Sequence, residues 1–373
     1  AEIYRGSSYG PWHPLRVPRV STVMDLCRAM GWLSPDSYLT SPRAKPAALT
    51  IWHHADYLDA LRRAEETQSV TDEVRARYNL GTASNPVYPE VWRRPATAAG
   101  ASLLAGELLA APGVIHSPAG GTHHGMPGHA NGFCYLNDAV LALLALRRAG
   151  LRRIAYVDID AHHADGVEHA FAHDPDMLLI SVHEERRWPF TGLIGDAGAG
   201  QVFNLPVPRG FNDTEMRAVR ERLILPALDR FGPEAIVLQC GSDAVEEDPL
   251  SRLALSNNAH FDIVAAVRAR TDRLLVLGGG GYNPWAVGRL WSGVWAVLNG
   301  FAIPDRLPPD AEAVLRGVEW SGHSRARNPD PALFTTLRDT PREGAVRAEI
   351  AQRLDRLAAR LPALAEGRLY AAG

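Results

Sequence analysis

Four short stretches of this 373-residue chain carry side chains that do chemistry. Asp160 and His162 stand two apart on a segment leaving an apolar run, a spacing that lets both point to one side. Asp243, in Gly241-Ser242-Asp243 after a second such run, would complete an Asp-His-Asp set. Imidazole and carboxylate are ligands that a divalent transition metal takes, and a catalytic zinc keeps one position open for water. The tandem His123-His124 sits between glycine-rich turns, where two adjacent imidazoles add nothing to packing. Tyr282 follows the glycine tetrad 278–281, whose backbone reaches conformations closed to other residues. Amide hydrolysis at a metal needs an activated water, a polarised carbonyl, a proton for the leaving amine and a stabilised oxyanion. His124 and His123 can supply base and acid, and Tyr282 the oxyanion donor.

Each residue alone has a plainer reading. An Asp after a strand commonly caps a helix, as Asp165 would for Gly166–Phe171, and a lone buried His is commonly a satisfied core residue. The glycine tetrad could cradle phosphate, but it lacks both the lysine of G-x-x-x-x-G-K-[ST] and the spacing of G-x-G-x-x-G. Four coincidences together argue for a site.

The elements that must position these residues alternate. Short apolar runs at Gly113–His116, Ile154–Asp160, Met177–His183, Ala235–Cys240 and Arg273–Leu277 read as buried parallel strands. Helical patterns at Pro95–Ala111, Asn137–Ala149, Thr214–Phe231 and Asn258–Ala269 lie before or between them. The alternation predicts a single open, doubly wound α/β domain with a central, mainly parallel sheet. In such sheets ligands bind outside the carboxyl ends of the strands, where four of these runs deliver a His, Asp or Tyr. The whole chain, 1–373, reads as one domain, with 304–373 a helical extension docked by the stripe Ile350, Leu354, Leu357 and Leu361.

Composition narrows the classes. A hydrophobic fraction of 46% and a charged fraction of 22% belong to an ordinary globular protein, and a net charge of −3 gives no global attraction to nucleic acid or an anionic membrane. No apolar run approaches the roughly 20 residues that span a bilayer. The three cysteines, Cys27, Cys134 and Cys240, form no C-x-x-C pair, which fits a reducing cytoplasm better than a disulfide framework.

From about Tyr9 to Gly300 the chain resembles the histone-deacetylase family, of the arginase–deacetylase fold, and most closely its bacterial acetoin-utilisation type. The resemblance rests on an ordered series: His13-Pro14-Leu15-Arg16 with Arg19, Gly120–His124, Gly132–Asp138, Asp158–Gly166, Gly241-Ser242-Asp243 with Asp248-Pro249, and Gly278–Asn283. It implies a hydrolase that removes acetyl or related acyl groups from amines such as acetyl-lysine. Asp160, His162 and Asp243 match the family's zinc ligands, a set that iron also suits. His123 and His124 match its paired histidines, Asp158 and Asp165 the carboxylates that orient them, and Tyr282 its oxyanion tyrosine. A structural potassium ion is implied near Asp158, Asp160 and Ser181. Arg19 matches an arginine of the inner, product-accepting cavity. Gly132 and Phe133 match one wall of the acyl-lysine tunnel. The other wall is Trp188 if aligned on aromatic-Pro-x-Thr-Gly, or Phe190 if counted from Ser181.

Departures bear on the substrate. Ser84 stands where protein deacetylases carry an Asp that anchors substrate amides; a hydroxyl accepts more weakly than a carboxylate. Leu250 stands where polyamine-selective relatives carry a Glu. Thr122 is smaller than the residues often found there, and Glu246 and Glu247 are available to draw a cationic substrate. The acylated amine is therefore either an acetyl-lysine protein or peptide or a small molecule. An arginase-like dimetal site would need an Asp where Val245 stands, and a non-catalytic binding protein would have lost a ligand, a histidine or the tyrosine. Nothing in the pattern sets an oligomeric state.

Overall fold

Six mostly apolar runs, buried apart from the half-buried edge strand β1, form the strands: β1 (Gly113–Ser117), β2 (Ile154–Asp158), β3 (Met177–Glu184), β4 (Val202–Val207), β5 (Ala235–Gln239) and β6 (Arg273–Leu277). The computed structural model describes residues 2–320 and 323–366. All strand pairs are parallel, in the order β1-β6-β5-β2-β3-β4. The sheet is the core of a single α/β domain. Alternate residues of each strand feed opposite faces: Ala155, Val157, Ile236 and Leu238 pack on one side, and Ile154, Tyr156, Ala235 and Val237 on the other.

The order contains a reversal. From β2 the chain steps outward to β3 and β4, then returns to place β5 on the other side of β2. β2 and β5 are therefore neighbours at a switch point, with Asp158 in register with Gln239. Strands on either side of such a point send their connections to opposite faces, which opens a crevice at their carboxyl ends. The segments after β2, β5 and β6 all emerge there.

The expected helices form close to their predicted bounds at Arg93–Leu108, Asp138–Arg148 and Asn257–Arg268. The predicted helix at Thr214–Phe231 runs from Asp213 to Phe231 with a π turn at Arg220–Ile224. Pro226 sits one turn later; it lacks an N–H and crowds the carbonyl four residues back, a local cause for widening the helix. A further helix, Pro284–Asn299, is buried on most sides. Near the carboxyl end, Ile350, Leu354, Leu357 and Leu361 join the core on the β3–β4 side of the sheet. Residues 367–373 of the expected extension lie outside the described residues. No described helix is long and apolar enough to cross a membrane.

Candidate metal centre

The three expected ligands meet. One donor atom from each of Asp160, His162 and Asp243 lies within 4.8 Å of the others. His162 Nδ1 is 3.2 Å from Asp160 Oδ1 and 2.9 Å from Asp243 Oδ2. Backbone holds both carboxylates in place: the Gly280 N–H donates to Asp160 Oδ2 at 2.6 Å, and the Ala161 N–H to Asp243 Oδ1 at 3.0 Å. Two glycines are required by this packing. A Cβ at Gly241 would fall 2.0 Å from Asp160 Oδ2, and one at Gly280 would fall 2.1 Å from Asp243 Oδ2.

Electrostatics ask for a cation here. Burial and the facing Asp160 push the Asp243 carboxyl above its usual range. Burial opposes charge on His162, yet Asp160 and Asp243 outweigh it and draw the imidazole up to about 10. Two buried carboxylates and one imidazole, with few other donors to neutralise them, fit a divalent transition metal by charge and donor type.

The paired histidines are each fixed through Nδ1. Asp158 Oδ2 lies 2.7 Å from His123 Nδ1, and Asp165 Oδ1 lies 2.6 Å from His124 Nδ1. Asp165 also accepts from the Gly166 N–H at 2.9 Å, but it is the first residue of its helix (Asp165–Phe171) and not the cap, which is Ala164; its side chain serves the ring. The two rings lie 4.0 Å apart but differ in basicity. Burial opposes protonation of both. On His123 the nearby Asp158 and Asp160 prevail and raise it to about 9. On His124 burial, with His123 alongside, lowers it to about 4.

Tyr282 borders both the crevice and an inner cavity. Its position comes from Asp248, whose Oδ2 accepts the Tyr282 N–H at 2.7 Å. Burial, reinforced by Asp243, keeps the phenol well above its ordinary pKa, hence a hydrogen-bond donor.

A tunnel leads outward. Gly132 and Phe133 have left-handed backbones, with φ of 52° and 69°, and the Phe133 N–H donates to Asn85 Oδ1 at 3.0 Å. Trp188 packs over Gly132, its ring 4.6 Å from that of His124. Phe190 is 69% exposed and stands further out on the same mouth, with Ser84 and Leu250. Between the two alignments of the opposite wall, Trp188 is the aromatic brought against the histidines. Arg19 lies in the inner cavity of about 50 Å³, several times what one water needs, and donates to Gly279 O at 2.8 Å. Ser181 is in register with Asp158, and its hydroxyl lies 2.9 Å from His183 Nδ1. Glu246 and Glu247 share Arg342 as an ion-pair partner, and neither lines the mouth.

Several supporting residues escaped the reading of the sequence. The Tyr156 hydroxyl donates to Asp158 Oδ2 at 2.6 Å. Asp138 gathers the Thr122 N–H at 2.8 Å and the Ser102 hydroxyl at 2.6 Å, which ties down the loop carrying both histidines. Asn137 Nδ2 donates to the carbonyls of His123 and Gly125, each at 3.0 Å. Arg94 joins Arg19 in lining the inner cavity. Asn137, Asp138 and Asp248 lie inside the quoted motifs, but Arg94 sits in the first turn of a helix, where an arginine ordinarily reads as solvated.

Known proteins resemble this chain in sequence and in fold. The model of the histone deacetylase domain matches residues 13–298. A putative histone deacetylase 2 of Caenorhabditis elegans is 33% identical over 309 residues, covering 80% of this chain and 61% of the nematode protein. Histone deacetylase 9 of Arabidopsis thaliana is 33% identical over 81% of this chain and 73% of its own length. The acetoin utilization protein AcuC of Bacillus subtilis is 29% identical over 80% of each. The chain thus spans less than two thirds of the nematode relative. A crystal structure of an HDAC homolog from Aquifex aeolicus superposes with a TM-score of 0.91 at 33% identity, covering 96% of this chain and 98% of the other. An HDAC homolog complexed with SAHA superposes equally well, at 34% identity.

Proposed function

The chain belongs to the histone deacetylase family, and on that premise we propose that it is a zinc-dependent amidohydrolase that removes acetyl groups from amines. The observation that carries the reading is the Asp160–His162–Asp243 cluster, flanked by two Asp-anchored histidines and one buried phenol. A divalent ion bound there would polarise the acyl carbonyl and acidify a water. With Nδ1 of His124 taken by Asp165, its Nε2 is the atom left to accept a proton from that water. The low basicity of His124 keeps this nitrogen free at neutral pH. His123, held more basic by Asp158, steadies the negative charge that develops and stands beside His124 as the leaving amine is protonated. The Tyr282 hydroxyl donates to the oxyanion. Phe133 and Trp188 grip the alkyl chain and exclude water. Arg19 receives the carboxylate product, and a potassium ion near Asp158, Asp160 and Ser181 would stiffen the β2–β3 end of the sheet. The segment from 304 onward serves as a helical extension of the same domain. The enzyme works in the cytoplasm.

Iron is the alternative ion, since an Asp₂His set accepts either metal and supply then decides. Ser84 favours a second substrate reading, a small acylated amine in place of a peptide, because the mouth offers no carboxylate at that position. A panel of acetyl-lysine peptides, free acetyl-lysine, acetylpolyamines and longer acyl-lysines, assayed for both acid and amine products, separates these. Release of acetate and free amine in equal amounts is expected; no hydrolysis of any acylated amine by the metal-loaded protein would sink the reading.

A further inference from the structure

The mouth of the tunnel carries an excess of positive charge. Four arginines line it, Arg186, Arg187, Arg209 and Arg252, against two carboxylates, Glu184 and Glu185. Both carboxylates are already neutralised. Arg187 grips Glu184 through Nε and through Nη2, the latter at 3.0 Å, and Arg353 Nη2 holds Glu185 Oε2 at 2.8 Å. Among the described residues no carboxylate stands within 4.0 Å of the guanidinium of Arg186, Arg209 or Arg252. All three are exposed. Arg186 also holds a left-handed backbone, with φ of 55°, a conformation that residues other than glycine adopt only at a cost. Across the mouth, Asn79, Thr82, Ser84 and Asn131 are neutral.

Such a rim discriminates by sign. A guanidinium forms paired, charge-assisted hydrogen bonds with carboxylate or phosphate. Each exposed pair is weak, but three charges around one opening steer encounter and set a preference between partners. A peptide rich in lysine and arginine would meet three uncompensated cations and no free acid.

We propose that the acylated amine is borne on an anionic carrier, whose carboxylate or phosphate groups pair with Arg186, Arg209 and Arg252. The proposal rests on the deacetylase reading and names the class of its substrate. It has two sources to separate: an acetyl-lysine flanked by acidic residues, and a small acetylated amine that carries a phosphate or carboxylate.

The test uses the metal-loaded protein and acetyl-lysine peptides of equal length with Asp/Glu, Ala or Lys/Arg on both sides of the acetyl-lysine. A second arm compares an acetylated aminoalkyl phosphate with the uncharged acetylated alkylamine. At low ionic strength the acidic peptide is expected to exceed the basic one in kcat/KM by about 10-fold, chiefly through KM. The ratio should shrink toward one at about 0.5 M salt, where the Debye length is only a few ångströms. The triple reversal R186E/R209E/R252E should invert the ratio, and the neutral triple R186Q/R209Q/R252Q should abolish it. Preference for the phosphate-bearing small amine over every peptide assigns the carrier to a metabolite; preference for the acidic peptide assigns it to a protein. Equilibrium binding of labelled peptides by fluorescence anisotropy reads the rim without turnover. A protein that hydrolyses the Ala-flanked peptide yet binds acidic and basic peptides equally overturns this proposal alone. A protein that binds the acidic peptide selectively but hydrolyses no acetylated amine overturns the deacetylase reading and leaves the anionic rim standing.

Discussion

Gly132→Ala is a one-carbon change with a calculable consequence. The new Cβ would lie 2.1 Å from Trp188 Cη2, 2.5 Å from Cζ3 and 2.9 Å from His124 Cδ2. Carbon atoms rest about 3.5–4.0 Å apart, so the indole must retreat by roughly 1.5 Å. The backbone at φ 52° adds about 1 kcal/mol for a residue with a Cβ. Trp188 is 37% exposed and its far edge can swing outward, so the stability loss should stay near about 1–2 kcal/mol. Activity should suffer more, because the ring that leaves is the one packed against His124 in the tunnel. A displacement of about 1 Å in a positioning wall costs on the order of 10²-fold. The assay is kcat/KM on a short acetyl-lysine peptide, with melting temperature and metal content measured in parallel. Adding Trp188→Ala should return the lost stability, since the obstacle is then gone, but not the activity, since the wall is then gone too. Gly132→Ala with kcat/KM within about threefold of the parent would refute the tunnel assignment.

Tyr282→Phe should lower kcat by about 10²–10³-fold with metal content unchanged, as loss of one oxyanion donor does; undiminished turnover removes Tyr282 from the reaction. Asp138→Ala leaves the Gly121 and Thr122 N–H groups and the Ser102 hydroxyl without their acceptor, each worth about 1–3 kcal/mol when buried. Calorimetry should find a melting point lowered by several degrees and activity lost with the loop; a native melting curve contradicts this. His53 is buried between the Met126 carbonyl, 3.1 Å from Nδ1, and the Asn137 N–H, which donates to Nε2 at 3.0 Å. Burial lowers it to about 4, so the folded protein favours the neutral ring. Its stability contribution is complete above the unfolded value of about 6.5 and is lost as pH falls toward 4, roughly 2 kcal/mol by pH 5. Denaturation midpoints at pH 8 and pH 5 should differ by less in His53→Gln, and an equal difference in both proteins argues against this site.

What the sequence could and could not reveal follows from local chemistry. β1, β2, β3, β5 and β6 were readable as largely apolar runs, because a strand covered on both faces has no reason to alternate. β4 was not, since its Asn204 and Pro206 break the run; at a sheet edge a proline costs no inner ladder bond. The helix Pro284–Asn299 carries apolar residues nearly all round, so it shows no stripe against which to detect a helical period. The cluster of Asp160, His162 and Asp243, both histidines and Tyr282 were legible as candidates because polar residues at strand ends, among glycines, have little structural purpose. Tyr156 and Gln239 were hidden inside strands, where an inward side chain reads as core. The surplus charge of the rim was invisible for a different reason: Arg187, Arg353 and Arg342 look no different in sequence from Arg186, Arg209 and Arg252, and only the fold reveals which carboxylates are already taken.

The central claim is that Asp160, His162 and Asp243 hold the ion on which amide hydrolysis depends. The most direct test measures metal by elemental analysis and acetate release on an acetylated amine, for the parent protein and His162→Ala purified side by side. The account predicts close to one transition-metal ion per chain and turnover in the parent, with both lost in the variant. A variant that keeps a stoichiometric ion, or a parent that hydrolyses at full rate after its metal has been stripped, would contradict it.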